Sequence, residues 1–366
     1  MTIVYAIIIF LLLIFVHETG HFLTAKATGI QVNEFSLGMG PKIFSVQKGE
    51  TKYSLRWIPF GGYCAMEGED EDSANPRAFG NKPVRVRALV LFAGSLMNVL
   101  LAVLLLSMVI FAGGEPTRRI DTVQETAPAY ADGLRPGDEV LAVGGITVSK
   151  WADISAALAD LTALSPASPD ASSVGSSEGT LPANVAAAAA EPTIQLVVLR
   201  DGSEFTIDTH FYTDEDGAQK IGISPVFGRS VPFFFKSFGY GAQATVSMAR
   251  MMYEVLGDLV TGQAGIDQLT GPVGIVKTVG DSARYGFIYL VQLTALISLN
   301  LGIVNLLPFP ALDGGRLIFL LIRKITGKAI TDKIEGRVHL IGILILFGFM
   351  ALITVQDVSR FLLPGG

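Results

Sequence analysis

Four stretches of the chain stay almost wholly apolar for about 20 residues, the length that crosses a bilayer's hydrocarbon core as a helix. They lie near 3–24, 88–112, 285–307 and 338–363. Between the first two the period changes. "EFSLGMGPKIFSVQKGETKYSLRWIPFGGY" alternates apolar and polar residues about the turn "QKGET", which predicts a β-hairpin. Its glycine-rich, apolar flanks predict that it dips into the membrane surface. After the second stretch, "GLRPGDEVLAVGGITV" reads as a turn followed by strands and "WADISAALADL" as an amphipathic helix. "TIQLVVLRDGSEFTIDT" reads as two strands joined at Asp201-Gly202, a strong hairpin signal. Residues 113–228 therefore form one α/β module. It is interrupted at 165–192 by a Ser/Pro/Ala-rich insertion without periodicity, expected to be disordered. Residues 229–284 are amphipathic in pattern and predict a segment lying along the membrane surface. The third apolar stretch runs into "NLLPFPALDGGRL", where two prolines and a Gly-Gly pair break it. Such backbone is tolerated at membrane depth only where protein or a watery cavity surrounds it, so 305–316 is a candidate site.

Composition strengthens the membrane reading: 50% of the 366 residues are hydrophobic and only 16% charged, against about a quarter in soluble domains. The net charge of −6, with no dense basic tract, argues against nucleic acid as a partner. The only cysteine, Cys64, excludes an intramolecular disulfide and a cysteine-built zinc site. No basic leader or small-residue cleavage signal accompanies the first stretch, which is expected to be a retained span. Lysines and arginines cluster from Lys26 to Arg87 and again from Arg316 to Arg337. By the positive-inside rule both loops face the cytoplasm, which places both termini and residues 113–284 outside. The acidic run "EGEDED" lacks a calcium loop's ligand spacing and reads as a solvated loop. The fold expected is an α-helical polytopic membrane protein: four transmembrane helices, a membrane-associated β-hairpin and an extracytoplasmic α/β module.

The first span ends in His17-Glu18-Thr19-Gly20-His21. Ionisable groups inside a span are costly and mark function. His17 and His21 stand four apart, so on a helix they share a face and reach one ion, with Glu18 beside them to take a proton from the attacking water. This is the H-E-x-x-H pattern of zinc hydrolases. The competing readings are a polar cluster at a helix interface or a proton relay. A catalytic zinc needs a third protein ligand. His210 lies in the outer module, His339 opens the last span, and Asp313 lies in the broken apolar sequence on the cytoplasmic side of the membrane. Asp313 is favoured, against a helix-capping role or a pairing with Arg316.

"HETGH", "NLLPFPALDGGR" and an outer module between spans together resemble the site-2 protease family of intramembrane metalloproteases, in its bacterial RseP/RasP-type branch. "FGGYCAMEGE", "NPRAFGNKPVRVRALVLFAG" and "LTGPVGI" extend the resemblance over nearly the whole chain. It implies Zn2+ held by His17, His21 and Asp313, with Glu18 as general base. It implies that Asn305, Pro308 and Pro310 handle substrate and that the hairpin lines the substrate path. It also implies that the outer module is PDZ-like and that the protein sits in a bacterial plasma membrane. The implied partners are single-pass membrane proteins, trimmed first by another protease: anti-sigma factors, signal-peptide remnants or a pheromone precursor. The outer segment has room for one PDZ-like domain, as in the Gram-positive subgroup. "AGSLMN" stands where relatives often carry Gly-Pro, with Asn98 retained. Other classes fit less well. A membrane-anchored protease of soluble substrates carries its H-E-x-x-H helix outside the span, a scaffold with a structural metal has no use for Glu18, and a transporter needs more intramembrane acids.

Overall fold

The computed structural model describes residues 1–362 other than 70, 72, 165–192, 215–218, 264, 266–269 and 327–331. The insertion expected to be disordered, 165–192, lies outside the described residues. The chain opens with helix α1 (Thr2–Ala27), strands β1 (Val32–Lys48) and β2 (Thr51–Met66), and helix α2 (Val84–Gly113). Short elements follow: β3 (Glu115–Val123), α3 (Pro128–Ala131), β4 (Glu139–Val143), β5 (Ile146–Thr147) and α4 (Trp151–Leu164). Next come β6 (Thr193–Arg200), β7 (Ser203–His210), β8 (Tyr212–Thr213), β9 (Gln219–Lys220) and β10 (Ile223–Gly228). Helices α5 (Val231–Thr261), α6 (Pro272–Tyr285), α7 (Phe287–Asn305), α8 (Asp313–Thr326) and α9 (Asp332–Leu362) complete the order. Two compact units result, one of residues 1–112 and 234–366, the other of 113–233.

Among the described residues of the helical unit, four helices are long and apolar enough to cross a membrane: Thr2–Ala27, Val84–Gly113, Phe287–Asn305 and Ile334–Arg360. They coincide with the four apolar stretches. The most apolar window of α2 is 44% buried and that of α9 only 11%, so α2 is the helix on which its neighbours pack. Close approach of α1 to α2 depends on Gly20, where a Cβ would stand 2.4 Å from Ala93 O. On the other side of α2, Ser298 Oγ of α7 donates to Asn98 O at 2.8 Å. α6 packs through Val279 on Ala6, Ile9 and Leu13 of α1. Its first turn is capped by α9, because Gly274 N–H donates to the buried Asp357 carboxylate at 2.7 Å.

The hairpin forms around "QKGET", with Lys48 opposite Thr51 and Lys42 opposite Arg56, but its register folds back. Glu34 through Leu37 face Ala65 through Gly62 on one side and Lys52 through Leu55 on the other. The last segment of β2 therefore has a single neighbour and forms one edge. Arg56 pins the fold-back: it donates to Ser36 Oγ at 3.0 Å, Gly40 O at 2.7 Å and Glu34 Oε1 at 2.8 Å, and also bonds Tyr63. Burial pushes the Glu34 carboxyl up, but hydrogen bonds from Ser54 and Arg56 outweigh it and hold the group at about 2. At the hairpin tip, Glu50 bonds Arg77 at 2.6 and 2.8 Å and Lys26 at 2.5 Å, tying the tip back to the end of α1.

In the other unit a sheet runs in the order β10-β3-β4-β6-β7, with β5 paired to β4. The β6–β7 turn has Asp201 at φ 50° and Gly202 at φ 81°, a type I′ turn whose twist suits the strands it joins. Ile120, Leu134, Val140, Ile154 and Leu196, all fully buried, lie in its core. A cavity of about 880 Å³ opens between α4 and the edge strand β10, lined by Trp151, Ile154, Leu158, Phe211, Ile221 and Ile223.

Candidate metal centre

On α1 the one-turn spacing of His17 and His21 aims both rings at α2, where Val90, Gly94 and Asn98 repeat at the same spacing. His21 Nδ1 lies 2.8 Å from Val90 O. A carbonyl only accepts, so Nδ1 carries the proton and Nε2 presents its lone pair. The Asn98 amide lies against His17, its Nδ2 3.2 Å from Nδ1, while its Oδ1 is buried without a partner. With His17 Nε2 also turned inward, Nδ1 bears the proton, and the amide turned by half a rotation accepts it through Oδ1. Asn98 thus orients a histidine as well as packing a helix.

The α7–α8 turn brings the third donor. Gly314 and Gly315 let α8 begin hard against that turn, since Cβ atoms there would stand 2.2 Å from Leu307 O and 2.3 Å from Phe309 O. Asp313, the first residue of α8, places Oδ2 at 3.2 Å from His17 Nε2 and 3.4 Å from His21 Nε2. The two Nε2 atoms are 3.2 Å apart. Ligands roughly 2.0–2.1 Å from a tetrahedral ion stand about 3.3 Å from one another, so the triangle has the size a zinc ion requires. Asp313 Oδ2 is buried and makes no hydrogen bond, a costly state for a carboxylate without a cation. Among the described residues this is the single cluster of three such side chains. Two imidazoles and one carboxylate are the donor set of hydrolytic zinc sites, so these residues fit the ion.

A cavity of about 500 Å³ adjoins the triangle, lined by Glu18, Gly62, Cys64, Glu69, Ala311 and Arg316 among others. Glu18 faces the edge segment of β2: a Cβ on Gly62 would lie 3.4 Å from Glu18 Cγ and 2.8 Å from Ser36 O. Asn305 ends α7 with Nδ2 3.4 Å from His17 Nε2. Pro308 is exposed and Pro310 half-buried in the α7–α8 turn, and neither lines that cavity. His339 does not join the triangle; its Nδ1 accepts the Ala311 N–H at 2.9 Å. Arg316 pairs with Glu69, not with Asp313. Of the acidic run, Glu69 is half-buried and lines the cavity, Glu67 bonds Asn33 and Ser73, and Glu71 is exposed, while Asp70 and Asp72 lie outside the described residues.

Gly94 is the site residue least visible in the sequence, where a glycine in an apolar helix reads as packing. A Cβ there would stand 2.3 Å from His21 Nε2 and 2.8 Å from His17 Cε1, against both histidine rings. Gly94→Ala is expected to weaken zinc binding by about ten-fold or more, the usual cost of disturbing ligand orientation. Metal analysis of the purified variant checks this; wild-type zinc content in a folded Gly94→Ala protein would refute it.

A histidine pair on a membrane-length helix, meeting an acid at the start of the short α8 with a second carboxylate beside them, is the arrangement of a membrane-embedded metallohydrolase. The chain belongs to peptidase family M50, whose model matches residues 5–349. A Bacillus subtilis protein, regulator of sigma-W protease RasP, is 30% identical over 446 aligned positions, covering 99% of both chains. The zinc metalloprotease RasP of Bacillus licheniformis is 29% identical, covering 99% of this chain and all of the relative. A Clostridium acetobutylicum protein, provisionally named a zinc metalloprotease, is 36% identical over 358 residues, 97% of each chain. This protein is accordingly a zinc-dependent metalloendopeptidase of the site-2 protease type, with four membrane-length helices among the described residues.

Proposed function

We propose that His17, His21 and Asp313 hold the zinc ion and that Glu18 is the general base of an intramembrane peptide hydrolysis. The convergence of three donor atoms at 3.2–3.4 Å around a buried, unbonded carboxylate oxygen carries this reading. Zinc, when bound there, polarises the scissile carbonyl and lowers the pKa of water. Glu18 shares the cavity, takes the proton from the attacking water and passes it to the leaving amine. A helical substrate hides its amides, so its transmembrane segment unwinds before it is cut. The unwound segment adds as a strand to the free edge at Gly62–Met66, which borders the cavity, and its main-chain groups pair there. Asn305 bonds the freed backbone next to the donor triangle, and Pro308 and Pro310 shape the wall behind it.

The clusters of Lys and Arg from Lys26 to Arg87 and from Arg316 to Arg337 support a cytoplasmic face for the hairpin and the α7–α8 turn. Both termini and the 113–233 unit are then extracytoplasmic. That unit is PDZ-like: its groove between α4 and the edge strand β10 suits an extended peptide, and it binds or excludes the outer part of a substrate. Substrates are single-pass membrane proteins already trimmed by another protease. The name of the Bacillus subtilis relative supports anti-sigma factors as the substrate class.

Reconstitution in liposomes with a single-pass substrate tests this. Cleavage is expected inside the apolar segment, as mapped by mass spectrometry, with loss on adding a zinc chelator and recovery on returning zinc. Cuts confined to the substrate's soluble portions would overturn the intramembrane reading. Equal rates for intact and trimmed substrate would overturn the filtering role of the PDZ-like unit.

A further inference from the structure

Helix α9 reaches the loop before Asp313 with two residues on one of its faces. Between α7 and α8 the chain closes a turn over Phe309, Pro310, Ala311 and Leu312, with Leu312 N–H donating to Phe309 O at 3.2 Å. Ala311 holds the third position at φ +83°. That is the type II turn with proline second, and its third position calls for glycine because a side chain is strained there. Here an alanine occupies it. The cost must be offset by contacts that over-determine the turn, and α9 supplies two. His339 Nδ1 accepts the Ala311 N–H at 2.9 Å. One turn further along α9, Gly342 admits Pro310 so closely that a Cβ would stand 2.5 Å from Pro310 O.

Because Nδ1 accepts, the His339 proton resides on Nε2, which lies 3.9 Å from Glu335 Oε1. The ring also packs on Phe319, with centroids 5.8 Å apart. Without the acceptor, a flip of the Pro310–Ala311 peptide relieves the strain and turns that N–H away from α9. Such a flip changes the direction in which the chain enters α8, whose first residue is Asp313. The donor triangle has little slack, since its edges span only 3.2–3.4 Å.

We infer that His339 is a positioning residue of the zinc centre: it holds the strained Ala311 turn and so sets Asp313 Oδ2 against the two histidines. This rests on the reading of Asp313 as a ligand. His339 neither faces the donor triangle nor lines its cavity, and it acts through the turn alone.

The test is zinc affinity of the full-length protein in detergent, by competition with a chromophoric chelator, alongside cleavage and thermal unfolding. His339→Leu is expected to bind zinc about ten-fold more weakly or worse. His339→Asn, whose Oδ1 falls near the place of Nδ1, is expected to recover most of the affinity. Adding Ala311→Gly to His339→Leu is also expected to recover it, because glycine takes φ +83° without strain. A merely structural histidine predicts no such rescue. Wild-type affinity in His339→Leu, or a folded double variant no better than His339→Leu, overturns the inference. Should His339→Leu not fold, His339→Gln, whose oxygen sits one atom too far, takes its place in the same comparison. Asp313→Asn measured in parallel separates the two readings. If it keeps wild-type zinc, the ligand assignment fails; if it loses zinc while His339→Leu does not, only the positioning role fails.

Discussion

Glu18→Gln is expected to leave zinc content unchanged while cleavage of a membrane substrate falls by about 10²–10⁴-fold, the usual contribution of a positioned acid–base group. The substitution keeps side-chain size and polarity and removes only the ability to accept a proton. Glu18 is not one of the three converging donors, so the donor triangle survives its loss. It lines the same cavity, between the histidines and the edge segment of β2, where the attacking water and the scissile amide must meet. The decisive measurement pairs metal analysis with cleavage on one preparation. Full cleavage by Glu18→Gln would remove the general-base role. Loss of zinc together with activity would show instead that Glu18 belongs to the metal's own ligand set.

Asp313→Asn is expected to lose both properties. The amide is nearly isosteric but carries no charge, and Asp313 Oδ2 is the single anionic donor in the triangle. Without it two neutral imidazoles remain, and two histidines four apart on a helix bind zinc far more weakly than three ligands do. Zinc content is expected to fall by ten-fold or more, with cleavage falling in proportion. Excess zinc in the assay is then expected to restore part of the activity of Asp313→Asn and none of the activity of Glu18→Gln. Equal zinc content in Asp313→Asn and wild type would end the assignment of Asp313. The two variants thus give opposite signatures, one losing chemistry with the metal kept and the other losing the metal itself.

The four spans were legible because a membrane demands long apolar runs, and such runs survive any arrangement of the helices. The break at 305–316 was legible for a related reason: prolines, glycines and an acid in apolar surroundings need a protein or water environment. The hairpin tip announced itself through "QKGET", but the fold-back did not. Glu34 opposite both Ala65 and Lys52 depends on Arg56 reaching Ser36, Gly40 and Glu34, contacts that no local alternation encodes. Gly94 and Val90 were hidden differently. One contributes an absent side chain and the other a backbone carbonyl, and both matter only because α2 lies against α1. By residue type alone His339 reads as a possible ligand. Its role depends on the φ of Ala311, a property of the turn that the residue's identity argues against.

The centre is divided along the chain: two donors stand in the first helix, and the third begins the eighth. During synthesis the membrane receives α1 and α2 long before α8 leaves the ribosome. For most of its own translation the chain therefore lacks one of the three converging donors. The same division makes the activity separable: the two parts of the helical unit, produced as fragments, should each be inert and should regain function together only if they reassemble in one bilayer.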